Sequence, residues 1–164
     1  MTMTKASDTA GVIAPPPLIA LAALLLGLAL DWLMPAYVLT VLLTFDARMV
    51  LGVLLVAAGC ALPISARSIF VGLGTNVNPF KPARALATGG VYAHVRNPMY
   101  LGMALIVAGL GIALASDWTL VMLLPAMLVI HFGVVAREER YLEAKFGEAY
   151  RQYKAHVPRY GWPG

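Results

Sequence analysis

Four apolar runs dominate this chain and limit what it can fold into. They span about residues 17–34 (PLIALAALLLGLALDWLM), 49–66 (MVLGVLLVAAGCALPISA), 99–116 (MYLGMALIVAGLGIALAS) and 118–136 (WTLVMLLPAMLVIHFGVVA). Each approaches the roughly 20 residues that an α-helix needs to cross a bilayer core. Lipid offers no partner for an open backbone, so helix is the expected form. Composition agrees: 60% of residues are hydrophobic and 12% charged, where a soluble domain carries roughly 25% charged residues. A soluble helical hairpin does not account for four such runs in 164 residues. The expected fold class is all-α: an integral membrane protein with about four transmembrane helices and a C-terminal amphipathic interfacial helix.

The length suggests one domain. Residues 1–14 read as a flexible N-terminus, 15–70 as two transmembrane helices, 71–98 as a cytoplasmic loop, 99–136 as a transmembrane hairpin and 137–164 as a cytoplasmic helix and tail. Lys5 is a thin positive flank and no clean cleavage site follows the first run, so that run reads as a retained anchor. The single cysteine, Cys60, lies inside the second run, where it reads as a packing residue. Lys and Arg gather in the 67–96 loop and in the tail after Arg137, whereas the turn between runs three and four carries only Asp117. The positive-inside rule then puts both termini and the long loop in the cytoplasm, in what reads as a bacterial inner membrane. The net charge of +4 is met by this asymmetry, and no nucleic-acid partner is implied.

The third and fourth runs are joined only by Ser-Asp-Trp, which makes an antiparallel hairpin with Asp117 as a candidate cap of the fourth helix. The hairpin brings the start of run three, RNPMY, level with the end of run four, HFGVVAREER. Downstream, Tyr141, Leu142, Lys145, Phe146, Ala149, Tyr150 and Tyr153 fall on one side at helical spacing. Gly147 softens this helix and Pro158 stops it. Glu138 and Glu139 are costly near lipid unless paired or hydrated, and Arg96, Arg137 and Arg140 are candidate partners. His131, two turns before Glu138, shares its helix face and reads equally as a satisfied buried histidine or as a pocket residue. No second His or Cys stands at ligand spacing, so no zinc or other metal site is expected. Pro98 suits a first helical turn. The N–H groups exposed there suit a carboxylate or phosphate.

The string TGGVYAHVRNPMYLG, followed after one hairpin by REERYLEAKFGEAYRQYKAHVPRYGW, resembles the isoprenylcysteine carboxyl methyltransferase family, whose superfamily includes phospholipid methyltransferases. The resemblance covers about residues 76–162. It implies an integral membrane enzyme that uses S-adenosyl-L-methionine. Tyr92, Pro98, Tyr100, Gly102, Glu138 and Glu139 match the family pattern, and the resemblance makes them cofactor-pocket residues. The segment 84–87 aligns with a further cofactor-contacting stretch, which adds Arg84 and Leu86. Asn97 stands where the family has His; it keeps a donor and an acceptor but loses any acid–base role of that His. His131 is a further candidate for the same pocket.

Methyl transfer from a sulfonium is an in-line displacement, so the enzyme mainly aligns donor and acceptor and excludes water. On this reading Glu138 accepts ribose hydroxyls, Arg96, Asn97 or the helix N-terminus holds the cofactor carboxylate, and Tyr92 and Tyr100 offer aromatic faces. Arg137 and Glu139 are the residues expected to face the acceptor, a hydrophobic or lipid-borne small molecule reached from the membrane. Two other readings are an NADPH-dependent enzyme like the sterol reductases and a membrane scaffold with a vestigial pocket.

Overall fold

A computed structural model of the chain describes residues 8–161. The expectations for residues 1–7 and 162–164 lie outside these. The described residues form helices and connecting loops, with no strand among them. The order is α1 (Pro16–Leu33), a short α2 (Val38–Leu42), α3 (Phe45–Gly72), a 3₁₀ turn (Gly90–Ala93), α4 (Pro98–Ala113), α5 (Asp117–Ile130), a π-helical turn (His131–Val135), α6 (Ala136–Phe146) and α7 (Glu148–His156). Among the described residues, three helices are long and apolar enough to cross a membrane: α1, α3 and the continuous Asp117–Phe146 rod. α4 is apolar but has 16 residues. At 1.5 Å per residue it reaches about 24 Å, short of the roughly 30 Å bilayer core.

The second run is longer than its apolar stretch suggested, because α3 continues through Ala66 to Gly72. α3 and α4 pack antiparallel through two reciprocal glycine pairs. A Cβ on Gly59 would lie 2.7 Å from the Gly102 carbonyl oxygen, and one on Gly102 would lie 2.6 Å from the Gly59 oxygen and from Pro63. Gly52 and Gly109 oppose each other in the same way, each 2.7 Å from the other's oxygen. Small residues bring membrane helices into backbone contact where no hydrophobic drive operates between them. α1 lies on α5, with Gly27 seated against Thr119.

The membrane end away from the motif is closed by polar contacts. Ser116, not Asp117, caps α5: its hydroxyl accepts the Thr119 N–H at 3.2 Å. Asp117 is already in the first turn of α5, so its carboxylate points out and caps the neighbouring α2 instead. It accepts the N–H groups of Val38 and Leu39 at 2.9 and 3.0 Å. Asp31 receives the Ser116 hydroxyl, and Trp118 donates its indole N–H to the Met34 carbonyl at 2.6 Å.

At the motif end, residues 8–13 lie across α6 where the sequence suggested a loose terminus. Lys145 donates to the Asp8 carboxylate at 2.7 Å, Arg137 donates to the Gly11 carbonyl at 2.9 Å, and the Ile13 N–H reaches the Gly133 carbonyl at 3.2 Å. Gly133 has no side chain, and Ile13 fills that space.

Candidate functional site

The motif end holds an open-mouthed cavity with about 880 Å³ of atom-free space, its mouth included. Its floor is the start of α4. One wall is the loop 75–87, folded on itself by short polar bonds. Thr75 Oγ1 accepts the N–H groups of Arg84 and Ala85 at 2.9 and 3.3 Å, and Asn76 donates to the Pro82 carbonyl at 2.7 Å. The Ala83 N–H donates to the Tyr141 hydroxyl at 3.0 Å, which ties the loop to α6. The opposite wall is α6 and α7, with Glu138, Glu139, Leu142, Tyr150 and Tyr153 on the cavity. Gly147, at a φ of +56°, turns α6 into α7 and swings those tyrosines over the site.

Tyr92 comes from the 3₁₀ turn and stacks on Phe70 of α3, with ring centroids 5.2 Å apart and planes 4° from parallel. Tyr153 donates to the Tyr92 carbonyl at 2.7 Å. Burial, then the neighbouring Tyr153 and Glu138, push the Tyr92 phenol well above its ordinary value. Burial acts likewise on Tyr150 and Tyr153 and pushes Tyr160 up to about 12. At neutral pH all four are neutral phenols, and the Tyr150 hydroxyl accepts a hydrogen bond from Arg96.

The two adjacent glutamates have different surroundings. Glu138 accepts the Tyr100 hydroxyl at 2.7 Å, and no cation is paired with it among the described residues. Glu139 is buried between two arginines. Arg159 grips both its oxygens, Nε at 2.9 Å and Nη2 at 2.6 Å, and Arg96 Nη1 stands 3.3 Å away. Hydrogen bonding to Glu139 holds the Arg159 pKa above its ordinary value. Arg96 lines the cavity with its side chain 9% exposed, and its Nε and Nη1 have no hydrogen-bond acceptor among the described residues. Asn97 is buried and donates both its N–H and its Nδ2 to the Arg159 carbonyl at 3.2 Å.

Of the residues singled out from the sequence, Leu86, Tyr92, Arg96, Asn97, Pro98, Tyr100, Glu138 and Glu139 come together around the cavity. Four do not. Arg137 is exposed and turned to the N-terminal segment at Gly11. Gly102 lies in the α3 and α4 seam, where its missing side chain serves helix contact. Arg84 is exposed and meets the wall through its backbone N–H. His131 lies behind the cavity, 3.1 Å from the Tyr160 hydroxyl and 3.4 Å from Arg159 Nη1. The π-helical turn explains the last case. It inserts one residue into the helix and rotates the downstream residues by about 100°, so His131 shares a partner with Glu139 rather than a face with Glu138. Sequence reasoning missed Arg159, Tyr150 and Tyr153 as parts of the site. Their place on an amphipathic helix and tail at the cytoplasmic face was visible, but which of those side chains reach the motif was not.

This is an integral membrane protein whose polar cavity opens where a short apolar helix begins. The phospholipid methyltransferase family matches it over residues 47–149, and the chain belongs to that family. It is therefore a membrane methyltransferase. It is 40% identical over 62 residues to an uncharacterized protein of Haemophilus influenzae, which covers 38% of this chain and 98% of that protein. It is 32% identical over 73 residues to the protein-S-isoprenylcysteine O-methyltransferase of Schizosaccharomyces pombe. That match covers 44% of this chain and 31% of the yeast enzyme. No solved structure matches the chain.

Proposed function

We propose that this membrane methyltransferase takes its methyl group from S-adenosyl-L-methionine and passes it to a hydrophobic or lipid-borne acceptor at the cytoplasmic face of a bacterial inner membrane. The observation that carries the reading is Glu138: a carboxylate with no cationic partner among the described residues, oriented by Tyr100 at 2.7 Å and facing a cavity walled by tyrosines. The donor set suits the cofactor. Glu138 can accept ribose hydroxyls. Arg96 has donors free for a carboxylate. The tyrosine faces suit adenine or the sulfonium. Bound there, the cofactor supplies an electrophilic methyl group. The chain's own residues then have three tasks: to hold the donor, to exclude water and to leave one side open to the bilayer. The short α4 supports the last, since the cavity floor is the start of a helix too short to span the bilayer core. The α3–α4 loop region and the C-terminal tail carry most of the Lys and Arg, which favours the cytoplasmic side for the cavity.

Glu139 is not free to meet an acceptor, because two guanidinium groups hold it. Arg137 points elsewhere. Both residues expected to face the acceptor are thus engaged within the chain, and Glu138 keeps the cofactor role given above. The test is calorimetric binding of S-adenosylmethionine to the detergent-purified chain, with NADPH as comparison. Micromolar binding of the first, lost in Glu138→Ala, is the expected result. Absence of that binding, with and without lipid, would overturn the proposal.

A further inference from the structure

We infer that Arg159 is a positioning residue for the cofactor's carboxylate: by neutralising Glu139 it keeps the Arg96 guanidinium available to the cavity. This rests on the cofactor reading above. The geometry is a three-member chain. Glu139 stands between two arginines and gives both oxygens to Arg159, at 2.9 and 2.6 Å. Arg96 keeps the looser 3.3 Å contact through Nη1 and a side-chain hydrogen bond to Tyr150, while its Nε has no acceptor among the described residues. A buried guanidinium with unmet donors is costly in a closed core. Here it borders a cavity that an anion can enter. Bidentate pairing is the strongest mode a carboxylate has with an arginine, so Arg159 takes the greater share of Glu139. Without Arg159, Glu139 would turn that pairing on Arg96, and the cavity would lose its cation.

The backbone around Arg159 serves the same end. The Arg96 N–H donates to the Pro158 carbonyl at 2.9 Å, and the Asn97 N–H and Nδ2 both donate to the Arg159 carbonyl. The C-terminal segment thus runs against the RNP stretch and fixes where Arg96 starts. His131 and Tyr160 brace it from behind: the Tyr160 hydroxyl meets His131 Nδ1, and Arg159 Nη1 meets Nε2. The backbone contacts survive substitution of the side chain. The electrostatic role does not.

The two parts separate experimentally. S-adenosylhomocysteine and methylthioadenosine share adenine, ribose and sulfur, and only the first carries the amino-acid carboxylate. Calorimetry on the detergent-purified full chain should show Arg159→Gln weakening S-adenosylhomocysteine by about 10-fold or more while leaving methylthioadenosine within about 2-fold, since one charge-assisted pair is lost and the rest of the site stands. Glu139→Gln added to Arg159→Gln should restore most of the lost affinity, because a neutral side chain no longer draws on Arg96. Equal losses for both ligands, or failure of the double variant to recover, would overturn the inference in favour of a purely structural role. A wild-type protein that binds both ligands equally would also overturn it, leaving the cofactor site standing. A wild-type protein that binds neither removes the functional reading itself.

Discussion

The Tyr100 hydroxyl donates to the Glu138 carboxylate at 2.7 Å, joining the first turn of α4 to the first turn of α6 across 38 positions of sequence. The bond ties the motif's tyrosine to the carboxylate that has no cationic partner in the cavity. Tyr100→Phe removes this bond and little else. Without it Glu138 is free to turn from the cavity, so affinity for S-adenosylhomocysteine should fall by about 10-fold, the scale of one charge-assisted hydrogen bond to the ligand. The melting temperature in detergent should fall by no more than the loss of one hydrogen bond allows, because the ring still packs. Calorimetry beside a melting curve separates the two. An unchanged affinity would remove Tyr100 from the site.

The glycine seam makes a different demand. Gly102→Ala would set a methyl group 2.6 Å from the Gly59 carbonyl oxygen and Pro63. Backbone cannot yield there as a flexible side chain can, and overpacking costs about 1–3 kcal/mol. The melting temperature should drop, and any loss of ligand affinity should track that loss of stability. Gly89→Ala is the control, since nothing lies within 4 Å of its added methyl and its φ of −96° suits any residue. Equal stability of the two variants, read by detergent melting, would argue against a close seam between α3 and α4.

Much of this was legible from the chain alone, and the parts that were not share a cause. Apolar runs report helices directly, because lipid leaves the backbone no other way to pair. The hairpin that levels Arg96 with Glu138 comes from a three-residue connection. What periodicity does not carry is a break in its own period. The π-helical turn at His131–Val135 shifts the register by one, so His131 faces Arg159. Nor does a motif say whether its glycine meets a ligand or a helix: Gly102 fits the family pattern and packs against Gly59. Arg159 was visible only as one more basic residue of the tail. Its role depends on the chain folding back through Gly147 and Pro158, a contact between positions 20 to 62 residues apart.

Arg137 offers a sharp test of site against sequence. It adjoins the Glu pair, yet it is exposed and donates to the Gly11 carbonyl. Arg137→Ala should leave affinity for S-adenosylhomocysteine within about 2-fold, the range of an exposed contact. Glu138→Ala, one residue on, should abolish measurable binding. Hydrogen exchange at residues 11–13 should rise in Arg137→Ala as the N-terminal segment loosens. A large loss of affinity in that variant would place Arg137 in the site after all.

The N-terminal segment is held at its outer end by charge. Asp8 receives Lys145 and Tyr141, and these bonds hold its carboxyl below the usual carboxylate range. A depressed pKa means the contact is fully formed above the ordinary aspartate value and is lost only as pH falls through the lowered one. Protection of residues 9–13 against hydrogen exchange, corrected for intrinsic rate, should therefore be flat between about pH 5 and pH 8, well above the ordinary aspartate range. Asp8→Asn should lower that protection at every pH in the window. Because the pair is exposed and salt weakens exposed charge pairs, 1 M salt should mimic the substitution in part, about a Debye length of 3 Å remaining at that concentration. Ala10 borders the cavity, so loosening this segment should also speed both entry and release of S-adenosylhomocysteine. Stopped-flow association and dissociation rates that both rise in Asp8→Asn, with their ratio little changed, are the expected outcome. Unchanged rates would separate the N-terminal segment from access to the site.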